Sequence, residues 1–589
     1  MTYRAPVRDL AFTLTEVVGI DRLSAGFPDL DRDTLQAVLD AAGQFSAEVL
    51  APLNRPGDQH GARYANGAVT AAPGFRDAYQ AFAAAGWNSL DADPAFGGQG
   101  LPKALALAVF ETVHAANMAF GLCPLLTHGA IEALHAHGSD AQKAAYLPKL
   151  ISGEWTGTMN LTEPHAGSDL AHLRTRAEPD GNGGYRLSGQ KIFITWGDHD
   201  IADNIVHLVL ARLPNAPEGV RGISLFVAPK RLLRADGSPG EPNALRPGGI
   251  EHKLGIHGSP TCTMLFEGAQ AEMVGQPGQG LAAMFTMMNS ARLNVGVEGV
   301  GIAERAYQGA LAYALDRRQG RSAWTGDHPA AIFDHPDVRR SLVMMKAKIE
   351  AARALCLETA VNADLATVAP TPEAREAARL REELLVPIAK AWSTDVGVEV
   401  ASSALQLHGG MGYVEETGAA QHYRDARIAP IYEGTNGIQA IDLMGRKLGL
   451  ANGAAIRALI ADIRATAAEL AAHEDEWLHR PGERLSAGAD AAETATDWLI
   501  DRKGHAQPDA LSGAAPYLTL LGDVCGGWFL ARAALAAAER LDDRAYARTK
   551  VSLLRVYADQ VLARASGWCA AVTAGSVDLH AVTPETLGA

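Results

Sequence analysis

The chain reads as a mainly α protein with an inserted β domain and an extra C-terminal helical domain. Three observations carry that reading. Alanine-rich apolar positions recur at three- and four-residue spacing before about residue 154 and again after about residue 281. Between these stretches, β-branched and aromatic runs separated by glycine-rich turns take over. Beyond Gly449-Leu450-Ala451-Asn452-Gly453 helical patterning resumes to the end.

Residues 1–36 are set apart as an N-terminal extension, and 37–154 as a helical domain. From Asp31 to about Leu150, Leu35 to Ala42 and Ala104 to Ala119 carry the helical spacing, and Asp93-Pro94 to Gly100 is a turn-rich link. Ser139 with Gln142 three positions on is a helix-start signature. The β domain is expected over 155–280, with strands at Leu187–Thr195, Ile205–Arg212, Ile223–Ala228 and Thr261–Glu267. Helix is expected over 281–450 and, in the C-terminal domain, over 451–589. There Trp477, Trp498, Trp528 and Trp568 are read as marking apolar faces.

Bulk properties narrow the class. A chain of 589 residues holds three or four domain-sized units. The net charge of −15, from 52 basic and 67 acidic residues, argues against coating nucleic acid or an anionic membrane. The five cysteines lie far apart with no CxxC, which fits free thiols in a reducing compartment rather than a disulfide frame or a zinc site. The N-terminus lacks the apolar core of a signal peptide, and no run approaches the ~18 apolar residues of a membrane span. The expected setting is the cytoplasm, with no metal.

The chemistry-bearing segments follow. In Ile431-Tyr432-Glu433-Gly434-Thr435-Asn436-Gly437-Ile438-Gln439-Ala440, a carboxylate stands beside a glycine and two small polar residues. Gly434 lets backbone approach a ligand, and Thr435 and Asn436 can donate to a phosphate. Walled by Tyr432 and Ile431, Glu433 is placed to be a base of raised pKa. Met159 to Asp169 is a turn that offers backbone N–H groups and the hydroxyls of Thr162 and Ser168, suited to a flavin edge. Phe193-Ile194-Thr195-Trp196-Gly197 is an aromatic strand. Arg292 and Arg317 are helix arginines, and an arginine fork suits a diphosphate. In Gln406-Leu407-His408-Gly409-Gly410, the glycines permit close approach to a dinucleotide and Gln406 can bond phosphate or ribose. No strand–GxGxxG–helix unit precedes them, so a Rossmann NAD site is rejected.

These segments, in this order, resemble the acyl-CoA dehydrogenases over about residues 37–450. The length and the wording Glu433 to Leu448 resemble the long bacterial branch that includes the 3-methylmercaptopropionyl-CoA dehydrogenases and related fatty-acyl-CoA dehydrogenases. The resemblance implies an acyl-CoA dehydrogenase-like α–β–α architecture and an FAD enzyme. It implies that Leu161 and Thr162 line the flavin, with the Thr162 hydroxyl on the ring edge. Ser168 then sits near CoA and the pyrophosphate. Phe193, where the family commonly has Trp, and Ile194 pack by the ring, and Thr195 contacts flavin N5. Arg292, Tyr432 and Gly434 lie at the substrate, with Thr435 and Asn436 at the cofactor. Arg317, Gln406, Gly409 and Gly410 serve the FAD of a neighbouring subunit, which implies a homo-oligomer, a dimer being favoured. Gln319 stands where a Thr is common.

The implied reaction is α,β-dehydrogenation of an acyl-CoA thioester to the trans-2-enoyl-CoA. Glu433 removes the α-proton and its own N–H faces the thioester oxygen. An electron-transfer flavoprotein accepts the electrons, and 3-(methylthio)propanoyl-CoA or a fatty acyl-CoA is the substrate. Three alternatives stand beside it: an acyl-CoA oxidase, a non-catalytic DNA-associated flavoprotein, and a helical scaffold whose motifs are coincidental. The second is disfavoured because residues 451–589 carry 13 basic against 18 acidic residues.

Overall fold

A computed structural model describes residues 3–540 and 542–589. The N-terminal extension is folded into the body. α1 (Val7–Phe12) and the turns after it bury Leu10, Leu14, Val17 and Val18. α2 (Arg32–Phe45) begins at Asp31, whose carboxylate accepts from Thr34 N–H at 2.7 Å, a side-chain N-cap. α3 (Ala51–His60) follows. A two-stranded hairpin then interrupts the region expected to be wholly helical: β1 (Arg63–Ala65) pairs with β2 (Ala68–Thr70). Its turn is Asn66-Gly67, both left-handed, as a two-residue hairpin loop requires. α4 (Phe75–Ala84), α5 (Lys103–Ala116), α6 (Met118–His137) and α7 (Asp140–Ile151) complete the first helical layer. α7 carries the capping box at Ser139 and Gln142.

The β domain comprises β3 (Trp155–Asn160), β4 (Arg176–Pro179), β5 (Tyr185–Thr195), β6 (Asn204–Arg212), β7 (Ile223–Pro229), β8 (Arg231–Leu233), β9 (Pro239–Pro242), β10 (Leu245–Ile250) and β11 (Thr261–Val274). Pairing closes on itself through β11, β5, β4, β6 and β7 back to β11, so those five strands have no free edge between them. β10 and β3 extend it, β3 running parallel to β6. Leu187, Val209, Phe226 and Phe266 fill its core.

α8 (Gly280–Asp316), α9 (Pro336–Val368) and α10 (Pro372–Leu407) are 37, 33 and 36 residues long. α8 and α10 touch backbone to backbone. A Cβ built on Gly299 would lie 2.5 Å from the Ser393 carbonyl oxygen, one on Gly397 2.8 Å from that of Gly299, and one on Gly296 2.9 Å from that of Ala389. α9 adds a buried ionic knot: Arg353 donates to Glu111 at 2.6 Å and to Glu304 at 3.0 Å. α11 (Ala419–Ala426) and α12 (Asn436–Gly445) flank the Glu433 segment.

Three successive left-handed residues, Ala451, Asn452 and Gly453, turn the chain into the C-terminal unit. It consists of α13 (Ala454–Ala472), α14 (His479–His505), α15 (Gln507–Arg540), α16 (Arg544–Gln560) and α17 (Ala565–Thr573). Among the described residues one helix, over Gln507–Glu539, is long and apolar enough by composition to cross a membrane, but 94% of its apolar window is buried inside the protein. Its glycines pack on α10: a Cβ on Gly522 would meet the Trp392 ring at 2.2 Å. The Trp392 indole N–H donates to Asp523 at 3.0 Å. Trp528 is buried as expected, whereas Trp477 is half exposed and lies under the Arg555 guanidinium, 4.4 Å from ring centre to Cζ. The ends of the chain are also tied together. Asp9 accepts from Lys346 of α9 at 2.7 Å and from Lys550 of α16 at 2.9 Å.

The α8–α10 contact gives a direct test. Gly299→Val must push backbone apart, and overpacking of this kind costs about 1–3 kcal/mol. Gly309, also in α8, has open space around it. Gly309→Ala is therefore expected to raise stability by about 0.5–1 kcal/mol through helix propensity. Thermal unfolding of the two variants should move in opposite directions.

Candidate active site

Glu433 sits in the turn between α11 and α12. Its φ is 53° and that of Gly434 is 83°. A left-handed glutamate is uncommon and marks a conformation held by its surroundings. The turn is held from below. Gln439, fully buried, donates its amide to the carbonyls of Glu433 at 3.2 Å and Gly434 at 3.3 Å. A side chain on Gly434 would strike that amide at 2.8 Å, so the glycine is needed for close approach as well as for φ. Thr435 caps α12 by accepting from Ile438 N–H at 3.2 Å. The Asn436 amide donates to Ala391 O at 3.0 Å and Asp395 at 2.8 Å, so this side chain ties the turn to α10. Among the described residues the N–H groups of Glu433 and Gly434 take no partner.

Two charged residues from the long helices flank Glu433. Arg292 of α8 is almost fully buried and pairs with Asp442 of α12 at 3.3 Å. Lys390 of α10 is fully buried, and its ammonium donates to Gly434 O and Asn436 Oδ1, each at 2.9 Å. Desolvation raises the Glu433 carboxyl, and Lys390 and then Arg292 pull it partly back. Burial holds Lys390 down at about 8. Glu298 of α8 is buried and accepts from the Tyr432 hydroxyl. Desolvation pushes it up to about 8, and its Oε2 has no partner. The expected wall around Glu433 is thus corrected. Tyr432 spends its hydroxyl on Glu298, and Ile431 is 48% exposed and no wall at all. Arg292 of α8 and Lys390 of α10 are the charged neighbours of the carboxylate.

The β-domain residues gather on one surface. Thr162 accepts through its carbonyl from Ile192 N–H at 2.9 Å, which sets the turn after β3 against β5. Leu161 O accepts from the buried Lys191 at 3.0 Å, and Lys191 pairs with Glu163 at 2.9 Å. Glu163 also accepts from the N–H groups of Arg174 at 2.8 Å and Thr175 at 3.0 Å, fixing the turn. Phe193 is the extra residue where the β5–β11 register shifts; its φ is 59° and its ring is 58% exposed. Ile194 points into the β core and offers a ligand only backbone. The hydroxyls of Thr162, Thr195 and the exposed Ser168 have no protein partner among the described residues. An exposed aromatic flanked by unpaired hydroxyls suits a flat heteroaromatic ring with polar edges, so these residues fit a flavin. The loop between β10 and β11 joins this surface to the Glu433 segment: Trp196 N–H donates to Pro260 O at 2.7 Å, and Ile256 N–H to Asp425 of α11 at 2.5 Å.

Arg317, Gln406, Gly409 and Gly410 lie elsewhere. α8 and α10 end together, where Tyr313 and His408 stack with ring centres 4.5 Å apart. All four residues are exposed there. At 1.5 Å rise per residue, Arg317 is about 28 Å along α8 from Glu298. Leu315, Trp324, Met411 and Tyr413 expose apolar surface around that end, Tyr413 to 87%.

Comparison with known proteins accounts for this geometry. The chain matches the acyl-CoA dehydrogenase N-terminal domain over residues 32–154, the middle domain over 158–269 and the C-terminal domain over 278–448. The acetyl-CoA dehydrogenase C-terminal-like domain matches 459–583. The chain belongs to the acyl-CoA dehydrogenase family. Its relatives include the 3-methylmercaptopropionyl-CoA dehydrogenase of Ruegeria pomeroyi, 47% identical over 96% of this chain and 97% of that one. The broad-specificity linear acyl-CoA dehydrogenase FadE5 of Mycobacterium tuberculosis is 33% identical over 95% of both. An acyl-CoA dehydrogenase from Bacillus anthracis, solved with FAD, shares the fold: TM-score 0.75, 21% identity, 92% of this chain and 89% of that one. As an acyl-CoA dehydrogenase, this protein is an FAD-dependent oxidoreductase.

Sequence reading missed Lys390, Glu298 and Gln439. The first two carried a signal. Each is a lone charge in an apolar helical run, Val386-Pro387-Ile388-Ala389-Lys390-Ala391-Trp392 and Val295-Gly296-Val297-Glu298-Gly299-Val300. Glu298 gives a pH test. Unfolded, its carboxyl ionises near ~4.3; folded, it keeps its proton to about 8. The folded state therefore binds the extra proton between these values, and stability falls as pH rises through them. Glu298→Gln removes that loss. The variant should match wild type near pH 4 and be more stable near pH 8, on the order of a few kcal/mol, by thermal unfolding across pH.

Proposed function

We propose that this acyl-CoA dehydrogenase uses Glu433 as the base that takes the α-proton of an acyl-CoA thioester, giving the trans-2-enoyl-CoA. The observation that carries the reading is the left-handed Glu433-Gly434 turn, with a partly desolvated carboxylate and unpartnered N–H groups. A raised carboxyl is a stronger base than an exposed one, suited to a weakly acidic α-carbon. The Glu433 N–H is available to the thioester oxygen, where negative charge develops. Bound FAD supplies the acceptor for the β-hydrogen. Thr162 and Thr195 offer hydroxyls to the flavin edge, Phe193 packs beside the ring with Leu161 and the Ile194 backbone, and Ser168 reaches toward CoA. Thr435 and Asn436 shape the backbone on which the cofactor side of the turn rests. Arg292, Tyr432 and Gly434 form the substrate side.

The reading extends to partners. Relatives named for 3-methylmercaptopropionyl-CoA and for linear acyl-CoAs support 3-(methylthio)propanoyl-CoA or a fatty acyl-CoA as substrate. Electrons pass to an electron-transfer flavoprotein, and the enzyme works in the cytoplasm. Arg317, Gln406, Gly409 and Gly410 serve a neighbouring subunit's FAD. Their distance from Glu433 and the exposed apolar rim around them support a homodimer.

Glu433→Gln keeps the shape and removes the base. Flavin reduction by a good substrate in anaerobic stopped flow should slow by at least 10²–10⁴-fold, with FAD content unchanged. Reduction at the wild-type rate would place the base elsewhere. A panel from methylthiopropionyl- to long-chain acyl-CoA in the same assay ranks substrates. Light scattering should give twice the 62.0 kDa chain mass. Tyr413→Glu, which puts a charge on the apolar rim, should shift the population toward monomer and lower FAD occupancy.

A further inference from the structure

The Glu433 turn is strained and must be held. A non-glycine residue in the left-handed region costs about 1–2 kcal/mol, and Glu433 and Gly434 occupy it in succession. The loop reaches α10 mainly through the buried Lys390 and the half-buried Asn436. Lys390, with no exposed surface, donates to Gly434 O and Asn436 Oδ1 at 2.9 Å, one residue after the base and three after it. Asn436 in turn holds the α10 backbone at Ala391. Gln439 of α12 grips the Gly434 carbonyl too, together with that of Glu433. With both carbonyls drawn down, the planes of the peptides after Glu433 are fixed. In a trans peptide the N–H points opposite to the carbonyl, so the Gly434 N–H faces away from Gln439, which holds the Glu433 carbonyl, and the Thr435 N–H faces away from Lys390, which holds that of Gly434.

We propose that Lys390 is a positioning residue for the acyl-CoA reaction: its buried ammonium clamps the Gly434 carbonyl and the Asn436 amide, holds the turn that presents Glu433, and supplies the positive charge beside that carboxylate. The proposal rests on Glu433 being the base. It assigns Lys390 no contact with substrate.

Charge geometry adds to the clamp. From α8, Arg292 and Glu298 face this centre; from α10, Lys390 and Asp395; from α12, Asp442 and Arg446; and Tyr432 lies between. Arg292 is already paired with Asp442, which is also held by Arg446 at 2.6 Å. Glu298 is held near neutrality by its burial. Lys390 is therefore the cation left to balance Glu433, and it is the larger of the two charges lowering that carboxyl.

The test compares Lys390→Met, Lys390→Arg and Glu433→Gln as FAD-replete enzymes, by anaerobic flavin reduction from pH 5 to 9 and by acyl-CoA titration. Lys390→Met should cut the limiting reduction rate by roughly 10–100-fold, because losses of ~1 Å in placement are of that size. Acyl-CoA affinity should stay within a few-fold. The acidic limb of the rate profile should move upward by about one pH unit, since the carboxylate loses its neighbouring cation. Lys390→Arg should bring the limb back to the wild-type position with a smaller loss of rate. Lys390→Met at the wild-type rate with an unmoved limb overturns the proposal. If Lys390→Met does not hold FAD, Lys390→Arg decides: a wild-type limb supports the charge role, and a limb displaced upward despite the retained charge overturns it. Glu433→Gln separates the two readings. If it too reduces flavin at the wild-type rate, the base assignment has failed; if it is inactive while Lys390→Met is unchanged, only the Lys390 proposal has.

Discussion

The close approach of α8 and α10 is the constraint on which the site depends. Helices usually pack with axes 8–10 Å apart, the distance set by the side chains between them. Here Gly296, Gly299 and Gly397 remove those side chains, and backbone meets backbone. The same seam carries Arg292 and Glu298 on one helix and Lys390 on the other. With the helices pressed together, these groups reach one small volume under the Glu433 turn. Wider packing would let water reach Lys390 and Glu298, and both would return toward ordinary ionisation. The glycines therefore act on the chemistry through the dielectric around charged groups, without touching a ligand.

The C-terminal unit supports that seam from behind. Trp392, two residues past Lys390, fits against Gly522 and Gly526 of α15 and bonds Asp523. Trp568 donates to the same carboxylate at 3.2 Å. α10 is thus held between α8 on the site side and α15 on the other. A carboxylate buried among indoles is costly unless its oxygens are bonded, and both oxygens of Asp523 are. At the far side, Asp9, Lys346, Glu350 and Lys550 link the first residues of the chain to α9 and α16. Such buried ion pairs give little net stability but penalise any arrangement that separates them. They favour one docking of the terminal segments on the three long helices.

Much of this was legible in the sequence, for identifiable reasons. The helix–β–helix order comes from three- and four-residue apolar spacing on either side and from β-branched and aromatic runs between glycine-rich turns in the middle. The strands Leu187–Thr195, Ile205–Arg212 and Ile223–Ala228 were found nearly at their observed ends. β10 escaped because Leu245-Arg-Pro-Gly-Gly-Ile looks like a turn, and proline and glycine are tolerated there at the end of the sheet. The hairpin at Asn66-Gly67 was signalled by its dipeptide but flanked by strands of only three residues. Ile431 reads as a wall only because it is close to Glu433 in sequence. Ile431 turns to solvent, and the charged groups beside Glu433 come from helices about 140 and 40 residues earlier. Lys390 and Glu298 were visible as charges in apolar runs, but which partner neutralises a buried charge is a long-range fact that no local window holds.

The distance between the Glu433 turn and the far ends of α8 and α10 bears on how activity and assembly are linked. Glu433 lies beside Arg292 of α8 and Lys390 at the middle of α10, whereas Arg317 and Gln406–Gly410 lie where those helices end, Arg317 about 28 Å along α8 from Glu298. Long straight helices fix that distance, and no loop motion within one chain shortens it. If a neighbouring subunit's cofactor is held by the helix-end residues, each subunit lends its partner the phosphate grip and keeps the base for itself. Cofactor affinity then becomes part of the dimer's stability, since a ligand bound only by the assembled state favours assembly by mass action. Loss of FAD should weaken subunit association, and dilution should release FAD. In that arrangement the apolar rim of Leu315, Trp324, Met411 and Tyr413 supplies the non-directional part of the contact, and Arg317 with the glycine turn supplies its geometry.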